Sequence, residues 1–336
     1  MNSPATAAIV GCGAISALHL DSLQRLGIPV VAVWDTDPAR AESAAAAVDA
    51  QAFTDHRDLL QQARPTVVHL CTPHDQHLPL ALDVLDGGAH LLVEKPLAAT
   101  VAAAKELTTA AERASTRGIQ TGLVLQNRYN RPNQRLHELI ASGGLGEVHG
   151  ATATVAWHRS ADYYRQAPWR GTWARAGGGV LMNQAIHTLD LLTWFLGPAV
   201  TVSGRAATHR LAEAIEVEDT AHVSLGHAGG TTSLLTATNC YALNAPVTVT
   251  VHWQRGTAVM AGDLTITWND GTRQVVPASP AVSGGHSYWG DSHHELIADF
   301  YQHLGDDTPF WIRAQDGLDL IELIHAVYDS SPSLRR

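Results

Sequence analysis

The chain has 336 residues, with Lys+Arg 22 against Asp+Glu 32, and the formal charge of −10 would repel a nucleic-acid backbone or an anionic lipid surface. Hydrophobic residues at 45% and charged ones at 16% exclude a disordered chain, and the length suits two domains, each with a core of its own. Cys12, Cys71 and Cys240 have no CxxC or Cys/His ligand spacing and the N-terminus lacks a signal peptide's basic head, so a cytoplasmic protein without a disulfide scaffold, membrane span or nucleic-acid partner is expected.

The first third repeats a short apolar run, a turn and a polar-faced helical stretch: residues 7–10 then 14–26, 30–34 then 38–48, and 66–70 then 77–85. A fourth strand at 90–93 leads to a helix that Thr100 caps and that runs to about Arg117, and 120–125 is a last buried strand. This alternation predicts a doubly wound parallel sheet over residues 1–126, an α/β fold with helices on both faces. After Pro132 the pattern changes to a helix ending near Ser142, a strand over 147–157, a loop rich in Tyr, Trp and Arg, and one apolar helix over 180–196. Runs of β-branched residues at 231–238, 247–253 and 264–268 alternate with Gly, Asn and Asp turns, which predicts a large mixed or antiparallel sheet. Helices over 292–304 and 314–328 close the chain. Residues 127–336 are thus expected to form an α+β substrate-binding and oligomerisation domain, its closing helices free to pack back on the first domain, with ligand bound between the two.

Gly11-Cys12-Gly13-Ala14-Ile15-Ser16 joins the first strand to the first helix. Gly11 permits a tight turn, Gly13 lets backbone approach a pyrophosphate, and the helix start at Ala14 and Ile15 offers N–H groups and partial positive charge. Asp35 ends the second strand, where a carboxylate accepts from ribose hydroxyls and repels a 2′-phosphate, so NAD is favoured over NADP. Arg40 stands where the start of the second helix could still reach a phosphate.

Lys95 and Lys105 are the only lysines, against 20 arginines. Lys105 sits on the polar side of a helix. Lys95 follows a buried strand in Glu94-Lys95-Pro96, at the carboxyl end where ligands of open parallel sheets bind, and a compact ammonium there can hold a hydroxyl or carbonyl oxygen.

With Thr72-Pro73 and His77 upstream, these residues resemble the Gfo/Idh/MocA oxidoreductases. The resemblance continues through Arg128 and Pro132, Trp169-Arg170-Gly171-Thr172-Trp173, Gly177-Gly178-Gly179, Leu181, Asn183, His187, Asp190, Glu218-Asp219, Glu295, Phe300 and Tyr328-Asp329-Ser330, nearly the whole chain. It implies a dinucleotide site that includes Gly11, Gly13, Ala14, Ile15, Asp35, Thr72, Pro73, His77, Glu94, Lys95, Trp169 and Arg170. It also implies a sugar or inositol dehydrogenase-like activity, with His187 as general acid/base and Lys95 on the reacting hydroxyl, and a homodimer or homotetramer.

Asn183, His187 and Asp190 share one face of the expected helix, and the glycines before it let another segment or a ligand come close. Histidine can take a hydroxyl proton near neutral pH as hydride leaves. Asn183 stands where relatives often carry aspartate; an amide orients a hydroxyl but is no base, which moves proton transfer to His187. Asp190 either holds the imidazole tautomer or makes a helix–helix hydrogen bond. Arg128, Tyr163, Tyr164 and Trp173 join Lys95, Asn183 and His187 as substrate contacts, although aromatics with arginine also suit a subunit interface. His77 either approaches the cofactor or caps a helix. His286, His293 and His294 lack ligand spacing supported by a carboxylate, and no metal is expected. The expected reaction is NAD-dependent oxidation of a secondary hydroxyl of a sugar, glycoside or cyclitol; an NAD-dependent glycosidase working by transient oxidation and a non-catalytic cofactor-sensing regulator are the alternatives.

Overall fold

Six apolar runs of three to five residues form one parallel sheet: β1 (Ala7–Val10), β2 (Val30–Trp34), β3 (Gln51–Phe53), β4 (Val67–Leu70), β5 (His90–Val93) and β6 (Thr121–Leu123), in the order β3-β2-β1-β4-β5-β6. β1, β4 and β6 are buried throughout, as strands covered on both faces must be. The intervening helices are α1 (Ser16–Leu26), α2 (Pro38–Val48), α3 (His56–Ala63), α4 (His77–Asp86) and α5 (Val101–Ser115), and Asp37, Asp55 and Thr100 cap α2, α3 and α5 through their side chains. The pair β3 and α3 was not expected from the sequence, because β3 is a short edge strand that opens on an exposed Gln51. The computed structural model describes residues 5–278, 292–331 and 334.

The chain divides into two compact units. The first takes the described residues up to Val124 together with His293–Asp319, and the second takes those of Leu125–Ser292 and Leu320–Arg336. Helix and sheet alternate in the second: α6 (Arg131–Ala141), β7 (Val148–Ala156), α7 (Ala161–Arg165), α8 (Trp173–Ala176), α9 (Ile186–Leu196), β8 (Ala199–Ala207), β9 (Thr220–His227), β10 (Thr232–Thr238), β11 (Thr248–Trp253), β12 (Gly256–Ala261), β13 (Asp263–Trp268) and β14 (Arg273–Val276). Closing helices α10 (Ser292–Gln302) and α11 (Ala314–Asp329) complete the element order. Among the described residues no helix is long and apolar enough to cross a membrane.

The eight strands run β14-β13-β12-β11-β7-β10-β9-β8, and the sheet is mixed because β10 pairs parallel with β7 while every other neighbour is antiparallel. Alternation buries one face: Ala221, Val223 and Leu225 point inward while His222 and Ser224 do not. On the other face one row crosses all eight strands in register, Ser203, Ser224, Leu234, Thr152, Thr250, Val259, Thr265 and Val275, none of them buried and none charged.

The expected helix over 180–196 is two pieces, a π-helical turn at Leu181–Ala185 followed by α9. The carboxylate of Glu218 accepts the N–H groups of Gly179 and Leu181 at 2.8 and 2.9 Å, and Val180 N–H donates to the Glu218 carbonyl at 3.1 Å. Those bonds occupy donors at the entry to the helix from outside it, and the first turn widens.

Candidate active site

In the first unit the polar features gather at the carboxyl ends of β1, β2, β4 and β5. Gly11 has φ +95°, and a Cβ there would lie 2.8 Å from the Cys71 carbonyl, so only glycine fits this crossing of β1 past β4. Among the described residues, its two chain neighbours aside, nothing lies within 4 Å of a Cβ built on Gly13, which leaves room for a ligand against the backbone. The start of α1 has no side-chain cap, and among the described residues the Gly13, Ala14 and Ile15 N–H groups make no hydrogen bond to the chain. Such donors, with the helix dipole behind them, fit a dinucleotide's pyrophosphate. Ser16, in place of a third glycine, donates its hydroxyl to the Gly13 carbonyl at 2.6 Å and is accommodated without opening the turn. Asp35 accepts from Cys12 N–H and Asp37 N–H, both at 2.8 Å, which fixes its carboxylate beside the glycine loop. Burial, and then the charge of Asp35, push the Cys12 thiol up to about 12, so this cysteine is no nucleophile at neutral pH.

Lys95 is partly exposed just past β5, and its peptide bond to Pro96 is cis. Its neighbours are committed to holding it. His77 is fully buried, with its ring nitrogens 2.9 Å from the carbonyls of Pro96 and Thr72, and burial lowers its pKa against those acceptors. His77, expected either to approach the cofactor or to cap a helix, braces the β4 and β5 loops. Glu94, also expected among the cofactor contacts, is 4% exposed, and its oxygens accept from His19 Nε2 at 3.0 Å and from Lys95 N–H at 3.2 Å.

In the second unit every residue from 176 to 192 is buried except Asn183 and His187. They lie four apart across the π-helical turn, so the two polar side chains reach the surface of the unit side by side. Gln126, in the turn after Leu125, stands with its amide nitrogen 3.5 Å from His187 Nε2. As an N–H donor it favours the acceptor form of that nitrogen. Gln126 was not anticipated; an isolated glutamine after a strand carries no pattern.

Arg128, expected at the substrate, and Asp190, left open between the imidazole and a bond to another helix, pair with each other. The guanidinium, 6% exposed, donates its Nε to both Asp190 oxygens at 3.0 and 3.1 Å and adds Nη2, which ties the residue after Asn127 to α9. Tyr164, expected at the substrate, is 3% exposed, packs on Ile215 and Val217, and its hydroxyl accepts from Asn239, whose amide also donates to Gln184 next to Asn183. Tyr163, Trp169 and Arg170 stay partly exposed and stack, with the Arg170 guanidinium 4.6 Å from the Tyr163 ring centre and 5.7 Å from that of Trp169. Trp173 sets its ring edge-to-face on Tyr328 at 5.2 Å. Thr72 and Pro73 are partly exposed beside the glycine turn.

The glycines before the helix make room for protein. A Cβ on Gly179 would overlap the Glu218 carbonyl oxygen, and Tyr328 donates its hydroxyl to Glu218 at 2.8 Å in the same space. Burial raises Glu218 to about 7 even though three donors reach it. Among the described residues no group of three or more His, Cys, Asp or Glu is arranged to hold a metal ion, and His286 lies outside them.

Comparison with known proteins agrees with this architecture. An inositol 2-dehydrogenase from Rubrobacter xylanophilus is 31% identical over 190 residues, 56% of this chain and 51% of that protein, so the match spans about half of its length. A D-apiose dehydrogenase from Paraburkholderia graminis is 25% identical over 96% of this chain and 87% of its own. The crystal structure of the WlbA dehydrogenase from Bordetella pertussis in complex with NADH and UDP-GlcNAcA superposes with a TM-score of 0.82 at 28% identity, covering 98% of this chain and 96% of that one. The family described as "Oxidoreductase family, NAD-binding Rossmann fold" matches residues 5–122 and "GFO/IDH/MocA C-terminal domain" matches 133–259; the chain belongs to the GFO/IDH/MocA oxidoreductases.

Proposed function

We propose that the chain is an NAD-dependent dehydrogenase acting on a secondary hydroxyl of a sugar, glycoside or cyclitol. The observation that carries this reading is the exposure of Asn183 and His187 alone from an otherwise buried run, 176–192. The cofactor, when bound, accepts the hydride. Lys95 holds the hydroxyl oxygen through its ammonium, Asn183 orients a neighbouring hydroxyl, and His187 takes the proton, its Nε2 kept as an acceptor by Gln126. Tyr163, Trp169 and Arg170 offer a stacking edge to the sugar or the nicotinamide. Relatives named for inositol, apiose and glucoside oxidation support this substrate class.

His187→Ala should lower turnover by about two or more orders of magnitude while leaving NAD affinity unchanged. Turnover near that of the wild type would remove His187 from the reaction. Net NADH accumulation separates dehydrogenation from glycoside cleavage through transient oxidation, which releases sugar without it. The fixed carboxylate of Asp35 selects NAD, and tighter binding of NADP in a parallel titration would refute that assignment. The uncharged row across the eight-stranded sheet, with Leu234 51% and Val275 53% exposed, suits self-association as a homodimer or homotetramer, which light scattering tests directly.

A further inference from the structure

Beneath the Lys95 loop lies a chain of polar side chains, buried except for the partly exposed Tyr301, that the dehydrogenase reading does not itself use. Tyr301 Oη is 3.0 Å from His69 Nε2, His69 Nδ1 is 2.8 Å from His19 Nδ1, and His19 Nε2 is 3.0 Å from Glu94 Oε1. His293 Nε2 approaches the same oxygen at 3.5 Å, and Glu94 Oε2 accepts the Lys95 N–H at 3.2 Å. His19 and His69 are fully buried. The chain joins α1, which starts at the glycine loop, to β4, to the residue after β5 and to α10, all within the first unit.

We propose that Tyr301, His69 and His19 form a proton-ordered chain that fixes the Glu94 carboxylate and, through it, the backbone of Lys95, so that His19 and Glu94 are positioning residues for hydride transfer. Proton counting sets the order. An ionised carboxylate only accepts, so His19 Nε2 carries a proton. A neutral imidazole has one N–H, which leaves His19 Nδ1 as acceptor and makes His69 Nδ1 the donor. His69 Nε2 then accepts, and the Tyr301 hydroxyl donates to it. A doubly protonated His19 would add a second buried charge beside Glu94, and taking each ion out of water costs several kcal/mol. Apolar side chains of similar size would fill the same space at less expense in desolvation, so packing alone does not call for imidazoles here. The chain starts from Tyr301 on α10, passes through His19 on α1, whose N-terminus faces the glycine loop, and ends on the residue before Lys95. Loss of the His19 donor leaves Glu94 Oε1 with only the longer His293 contact, and the carboxylate can then rotate away from the Lys95 amide.

This inference rests on Lys95 contacting the reacting hydroxyl, and its test separates the two. Nitrogen NMR of the intact protein should place the His69 proton on Nδ1 and the His19 proton on Nε2; the reverse order, or a doubly protonated His19, overturns the chain. Lys95 and Lys105 are the only lysines, so 13C reductive methylation yields one informative signal and one internal control. In His19→Leu the Lys95 signal should move while that of Lys105 stays, and in His19→Gln, whose amide N–H can still reach Glu94, it should return toward the wild type. His19→Leu should lower kcat about 10- to 100-fold with smaller change in KM and in NAD affinity, as expected when a contacting group is displaced by about 1 Å, and His19→Gln should recover most of the loss. An unmoved Lys95 signal, or wild-type kcat in a folded His19→Leu, refutes the positioning role. Should His19→Leu fail to fold, the wild-type proton order and His19→Gln decide the matter. If the wild type oxidises no carbohydrate, the dehydrogenase reading fails, and the tautomer and lysine signals, which need no substrate, still judge the chain.

Discussion

Glu94 and Glu218 stand behind the two segments that carry Lys95 and His187, and their titration is driven in opposite directions. Burial pushes both up. For Glu94 the hydrogen bonds from His19 and His293 outweigh that push and hold the carboxyl well below its ordinary value. Glu218 has shorter bonds, from Gly179 N–H, Leu181 N–H and Tyr328 Oη, yet it rises to about 7. Two backbone amides and a phenol satisfy the Glu218 carboxylate without repaying the loss of water; the imidazole donors at Glu94 go further.

The harshest test of this contrast is steric. Gly179→Ala would drive a methyl into the Glu218 carbonyl, and a loss above about 3 kcal/mol is expected in urea unfolding. An unchanged midpoint would mean that Glu218 is not held against the helix entry as described. Next comes pH. Glu218 has a folded pKa above its unfolded value, so its contribution is full below about 4.5 and is lost as pH rises through about 7, a span worth about 3 kcal/mol. Glu218→Gln should lack that decline, seen as the difference between wild-type and variant stability across the window. Glu94 works the other way: its pKa is depressed, so its contribution is present above about 4.5 and disappears as pH falls further, and Glu94→Gln should flatten the acid limb instead. Equal slopes in the two variants would erase the contrast. Tyr328→Phe is the mildest change. It removes one donor, should cost about 1 kcal/mol, and should move the Glu218 window to higher pH, because the lost bond favoured the charged form.

Much of this molecule was readable from its residues. Apolar runs such as Val67–Leu70 and alternating ones such as Thr232–Thr238 announced their sheets, and the glycine loop with Asp35 announced the dinucleotide site. Local pattern failed at Gln51–Phe53, where a three-residue edge strand has no apolar period to show. It failed again at the π-helical turn, whose cause is a carboxylate 37 residues from the N–H it captures. Residue type marked Glu94 and Arg128 as chemical groups, but their partners, His19 and Asp190, lie 75 and 62 positions away. The side chain that neutralises or satisfies each of them is brought in only by the tertiary fold. Asn183 and His187 were legible for the opposite reason, since their spacing along one helix is a local property.

The first sheet is finished by residues 306–312, which follow β6 by more than 180 positions. Gln120, just before β6, donates its amide to the carbonyls of Asp306 and Thr308 and accepts from Phe310 N–H, and Leu123 N–H bonds the Ile312 carbonyl. During synthesis, therefore, the nucleotide half waits with an unsealed edge until the residues up to Ile312 have been made. A fragment cut at Val124 would be an incomplete object rather than a portable module, and transplanting this half into another protein would require carrying His293–Asp319 along with it.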